Sequence, residues 1–197
     1  MLTFSLASSS FAQVGFGVKG GMNFAKIGGS DVIVDVKTRT GFAAGAYLEM
    51  SLPALITIQP EVLYSTKGVI FETNYTRLGQ PATSTQTNTY TYLEVPVLVK
   101  YSFPIPVFKP TLYVGPEVGF LLNARARFED TGASTVESDI KSIITGTDLG
   151  AVFGASVHVL AVDIEVRYTM GLKSTTKGYS ANVYNRVWGI MAGIPLL

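Results

Sequence analysis

From Tyr92 to Tyr101 the chain alternates. Leu93, Val95, Val97, Val99 and Tyr101 fall on one side, and Tyr92, Glu94, Pro96, Leu98 and Lys100 on the other. A period of two is the signature of a strand with two chemically different faces. Seven more segments carry it. They predict strands over about 14–24, 40–51, 55–67, 111–127, 145–158, 162–173 and 184–196, with the opening stretch running on to Phe103. In each, one face is aliphatic or aromatic; the other holds Gly, amides, hydroxyls and charges.

The connections alternate in length. Long ones follow the first, third, fifth and seventh strands, of which Gly68–Thr89 and Phe128–Ile144 read as extended polar loops. Gly28-Gly29-Ser30-Asp31 marks the turn in the first, and 174–183 is the last. Short turns follow the others, at Leu52-Pro53-Ala54, Pro104-Ile105-Pro106 and Val159-Leu160-Ala161. An even number of strands joined as sequential hairpins closes without a free edge. The pattern predicts an all-β fold: an eight-stranded antiparallel up-and-down transmembrane β-barrel over residues 13–197. Long loops would lie outside, and both termini in the periplasm.

Alternation alone leaves open which face is inside. A soluble lipocalin-like binding barrel alternates too, with its apolar face inward. Three features favour lipid outside. The polar face is rich in Gly, which suits a narrow interior. The apolar faces carry no charge in mid-strand, where a Lys or Arg at the bilayer midplane would cost roughly 2–4 kcal/mol. Aromatics gather near strand ends: Phe24, Phe42, Tyr64, Tyr168 and Trp188 towards the long loops, Phe16, Tyr101 and Phe103 towards the short turns. Such belts mark membrane interfaces.

Composition agrees. The chain is 47% hydrophobic and 15% charged, against roughly 25% charged for a soluble domain, yet no apolar run reaches the roughly 18 residues of a membrane helix. A net charge of +1 excludes a field that would draw nucleic acid, and zero Cys with one His excludes thiolate or His-cluster metal sites. No cofactor motif is present; Gly28-Gly29-Ser30 opens no helix. Residues 1–12 read as a truncated signal peptide, with Leu2, Phe4, Leu6 and Ala7 as its apolar core and Ser10-Phe11-Ala12 as its cleavage site.

The polar faces carry the candidate site. Lys19, Glu49, Glu61, Glu94, Lys100, Glu117, Arg125, Asp148, Asp163, Glu165 and Arg167 are assigned to a charge-paired network filling the lumen. Unpaired, such charges would be costly in a narrow interior; paired and hydrogen-bonded, they are tolerated. Lys67, Arg127 and Lys173 are placed at the watery rims. Pro60, Pro96 and Pro116 each remove a ladder donor inside a strand, and are read as bulges. Catalysis is weighed and set aside. Ser156 and His158 share a face, but at the periplasmic end, and Asp163 and Glu165 lie beside Arg167, which favours ion pairing.

Four stretches resemble the PorT-like family of outer-membrane β-barrels of Bacteroidota-type envelopes. They are Gly17-Val18-Lys19-Gly20-Gly21-Met22-Asn23, Gln59-Pro60-Glu61-Val62-Leu63-Tyr64-Ser65, Tyr92 to Tyr101, and Gly115-Pro116-Glu117-Val118-Gly119. The resemblance implies an eight-stranded barrel in the cell outer membrane. Its partners would be the outer-membrane lipids and, as in the founding member, proteins of an envelope or secretion assembly. It transfers no functional residue. Barrels of this kind usually end in an aromatic residue, whereas this sequence ends Ile194-Pro195-Leu196-Leu197. The expected function is a non-enzymatic barrel acting through its loops. The alternatives are a narrow solute channel and the lipocalin-like binding barrel.

Overall fold

The computed structural model describes residues 13–28, 36–105, 108–131, 134–174 and 184–196. The expected signal segment, the Gly29-Ser30-Asp31 turn, Pro106, most of 174–183 and Leu197 lie outside the described residues. The elements are β1 (Gln13–Gly28), β2 (Val36–Leu52), β3 (Ile56–Arg77), β4 (Gln80–Ser102), β5 (Lys109–Asp130), β6 (Val136–Asp139), a 3-10 turn (Lys141–Ile143), β7 (Thr147–Val159), β8 (Val162–Gly171) and β9 (Tyr184–Pro195). Every pairing is antiparallel. The order β4-β3-β2-β1-β9-β8-β7-β5, closed by β4 on β5, is a ring of eight; β6 adds to the outer end of β5.

The barrel is inside-out relative to a soluble protein. Phe16, Val18, Met22, Phe42, Leu48, Leu112, Val114, Phe153, Ile190 and Trp188 stand exposed on the outer wall, while Lys19, Glu61, Glu94, Glu165 and Arg167 are buried within. A continuous apolar wall of this kind needs lipid around it. The lipocalin-like alternative requires the reverse arrangement and is set aside. Aromatic pairs lie at both ends of the wall: Phe42–Tyr64 at 5.9 Å and Tyr168–Trp188 at 4.9 Å on the loop side, Tyr101–Phe103 at 5.1 Å on the turn side.

Three expectations are corrected. Gly68–Thr89 is not a loop. β3 and β4 run on as one hairpin in unbroken register from Gly68↔Thr89 to Arg77↔Gln80. Thr83, Thr85, Thr87 and Thr89 are β-formers that need no apolar face once the strand has left the membrane. The tip is a two-residue turn, Leu78 (φ 51°) and Gly79 (φ 77°), whose positive angles match the twist of the strands. Likewise Phe128–Ile144 holds the end of β5, β6 and the 3-10 turn. With β3, β4 and β5 at 22, 23 and 22 residues, against the roughly 9–11 that cross a bilayer, a four-stranded sheet rises beyond the wall. Reciprocal bonds between Thr83 and Thr131 hold it (Thr83 N to Thr131 Oγ1 3.0 Å, Thr131 Oγ1 to Thr83 O 3.1 Å). The Tyr75 hydroxyl also donates to the Asp130 carboxylate, which raises the phenol above its usual range.

The prolines are not bulges. Register is the same on both sides of Pro60, Pro96 and Pro116; each costs a ladder bond without shifting the strand. The shifts lie elsewhere, between Thr38 and Ala43 in β2 and opposite Thr91–Tyr92. At the latter, Tyr92 faces Leu121 and Thr91 faces Asn123, so Leu122 is the extra residue of a bulge. Beyond it the faces of β5 exchange: Ala124 and Ala126 are buried, and Arg125 and Arg127 point out.

Candidate functional site

The interior holds two charge clusters. In the first, Lys19 on β1 and Arg167 on β8 face Glu61 on β3 and Glu165 on β8. Lys19 Nζ donates to Glu61 Oε1 at 2.8 Å and to both Glu165 oxygens at 3.0 Å. The Arg167 guanidinium donates to Glu61 Oε2 at 3.0 Å, to Glu61 Oε1 at 3.2 Å and to Glu165 Oε1 at 2.7 Å. Two bases meet two acids, and the fork geometry of arginine lets one side chain bridge the barrel. Gln59 and Lys100 extend this cluster towards the turn side. Gln59 Nε2 donates to Glu61 Oε1 at 2.5 Å, and Lys100 Nζ donates to Gln59 Oε1 at 2.6 Å and to Glu49 Oε1 at 3.1 Å.

In the second cluster Lys67 stands among three acids: Glu94 at 2.7 Å, Glu117 at 3.3 Å and Asp148 at 3.7 Å. Asn185 Nδ2 donates to Asp148 Oδ2 at 2.7 Å. Three tyrosines lie against the cations: Tyr47 by Lys19 (5.2 Å from ring centre to Nζ), Tyr92 by Lys67 (5.4 Å), and Tyr113 by Arg167 (5.8 Å to Cζ). Two glycines make room for them. A Cβ on Gly17 would come within 2.4 Å of the Tyr47 ring, and one on Gly154 within 2.3 Å of the Tyr113 ring. The void between the clusters, lined by Asn23, Lys67, Glu94, Glu117, Arg167 and Met191, measures about 10 Å³, room for a single water.

At the turn-side mouth a polar cavity of about 220 Å³ is lined by Glu49, Lys100, Lys109, Ser156, His158 and Asp163. His158 Nδ1 pairs with Asp163 Oδ1 at 2.9 Å.

Of the residues assigned to the lumen, Lys19, Glu61, Glu94, Lys100, Glu117, Asp148, Glu165 and Arg167 are buried within it, and Glu49 and Asp163 are half-buried at its mouth. Arg125 is the exception: the bulge at Leu122 turns it outward, opposite Asp139 of β6. Lys67, assigned to a rim, is 2% exposed and the centre of the second cluster. A legible signal existed for it. Lys67 shares strand parity with Glu61 and Ser65, and without it Glu94, Glu117 and Asp148 would have no cation at their level.

Residues 8–177 match the family model described as an outer membrane protein beta-barrel domain. No curated protein matches the chain. Among solved structures, Neisserial surface protein A shares 18% identity, with 92% of this chain and 98% of that one covered and a TM-score of 0.51. Ail, the attachment invasion locus protein of Yersinia pestis, shares 12% identity over 93% of this chain and 99% of that one, with a TM-score of 0.46. The first likeness speaks for the fold.

Proposed function

The chain belongs to the outer-membrane β-barrel domain family, and on that footing we propose that it is a non-enzymatic barrel with a sealed lumen that works through the sheet raised on its loop side. The observation that carries this reading is the filled interior, with a void of about 10 Å³ between its two charge clusters. A path for solutes needs a continuous aqueous channel, and the Lys19–Glu61–Arg167–Glu165 bridge stands across it.

What the barrel offers outward is backbone and side chains of the β3–β4 hairpin, β5 and β6. β6 is an edge strand, exposed throughout. In our reading the loop side is extracellular, the termini are periplasmic, residues 1–12 are a processed leader, and the protein sits among the PorT-like barrels. Its partners are then membrane lipids and proteins of an envelope or secretion assembly that meet the raised sheet.

The chain has no Cys, so Leu78→Cys at the hairpin tip gives a single label site. A membrane-impermeant maleimide should modify it in intact cells. Modification only after the outer membrane is permeabilised would overturn the orientation and with it the role of the sheet.

A further inference from the structure

On the loop-side rim of the barrel two cations face each other, with no acid between them among the described residues. Lys26 of β1 is directly opposite Arg186 of β9, and both point outward and are exposed. Their Cβ atoms are then about 5 Å apart, and like charges directly opposite destabilise a strand pair. The other exposed cations of the loop side have partners: Lys141 Nζ donates to the Leu122 carbonyl at 2.7 Å and Lys173 Nζ to Thr147 Oγ1 at 2.8 Å. Lys37 pairs with Glu72 at 2.5 Å and Arg127 with Glu129 at 2.8 Å, while Arg125 lies opposite Asp139. Among the described residues, no carboxylate pairs with Lys26 or Arg186.

Their height on the wall is telling. The next outward pair towards the membrane is Phe24↔Trp188, with Tyr168 beside it. The Tyr168–Trp188 pair, at 4.9 Å, belongs to the aromatic belt. Lys26 and Arg186 stand one pleat above, about 7 Å further along the strand. Aromatic belts sit at the headgroup level, so the cations reach the plane of lipid phosphates, with Met170 directly across from Arg186 on the neighbouring strand.

We propose that Lys26 and Arg186 form a clamp for the phosphate of an outer-leaflet glycolipid, its acyl chains lying on the Phe24–Trp188–Tyr168 wall. An arginine fork and a lysine point charge together suit a phosphomonoester. The inference rests on the orientation proposed above, which puts this rim in the outer leaflet.

The test reconstitutes the wild type, Lys26→Gln/Arg186→Gln and Arg127→Gln in phospholipid nanodiscs. These are doped with phosphorylated lipid A or with its dephosphorylated form, and retained lipid is measured by native mass spectrometry. Each cation near a charged lipid surface contributes about a factor of five. The double variant should therefore hold phosphorylated lipid A about thirtyfold more weakly, with Arg127→Gln like the wild type. Equal retention by the wild type and the double variant overturns the clamp. So does equal retention of both lipid forms by the wild type, since the acyl chains alone would then be held. The orientation is read separately by Leu78→Cys labelling, so its failure is distinguishable from a failure of lipid binding. Heat-modifiable migration of the double variant shows that it folds.

Discussion

Replacing Glu61 by alanine removes the acceptor on which the first lumen cluster converges. Glu61 receives Lys19 at 2.8 Å, Arg167 at 3.0 and 3.2 Å, and Gln59 at 2.5 Å. It is 1% exposed, so water cannot take its place without rearrangement. Without it, Lys19 and Arg167 keep only Glu165, and a buried site that was neutral carries an excess positive charge. Breaking a buried pair by removing one partner costs about 3–5 kcal/mol, because the other charge is left uncompensated. The assay is equilibrium urea unfolding of protein folded into lipid vesicles, followed by the fluorescence of Trp188, the only tryptophan. A double-mutant cycle with Arg167→Ala should return a coupling of about 0.5–3 kcal/mol, as expected for residues in one hydrogen-bonded network. Thr85→Ala, on the raised sheet, serves as control and should stay within about 0.5 kcal/mol. If Glu61→Ala also stays within that range, the cluster contributes no stability and the reasoning fails.

Other outcomes follow from the same geometry. Lys67→Met leaves Glu94, Glu117 and Asp148 facing one another without a cation, and should cost about 3–5 kcal/mol in the same unfolding assay. Gly17→Val forces a side chain into the Tyr47 ring, where a Cβ alone would come within 2.4 Å; a loss of about 1–3 kcal/mol is expected. Leu78→Asn should stabilise the hairpin by about 1 kcal/mol or less. Leucine there holds a φ of 51° and is 97% exposed, so no packing is lost; proteolysis at the tip should slow accordingly.

The wall of this barrel was legible because lipid imposes a strict period of two. Wherever a strand crosses the membrane, as at Leu93–Tyr101 or Val162–Met170, the outward face is apolar and the alternation is plain. It fails where that constraint ends. Thr83–Thr91 alternates threonine with Ser, Gln, Asn and Tyr, so a well-formed strand resembles a polar loop. Arg125 was misplaced by one inserted residue, since a bulge at Leu122 leaves no mark in composition yet exchanges every side chain beyond it. Lys67 was misplaced although its strand parity with Glu61 and Ser65 turned it inward, because the acids that hold it lie on other strands; Glu117 is fifty residues away and Asp148 further still. Pro60, Pro96 and Pro116 were correctly seen as irregular, but proline removes a donor without requiring an extra residue.

Planar-bilayer recording on the purified wild-type protein tests the sealed lumen most directly. The Lys19–Glu61–Arg167–Glu165 bridge and the Lys67 cluster should leave the membrane without a steady conducting level. A long-lived open state in the wild type would contradict the account, since ions would then be passing where the structure places paired side chains.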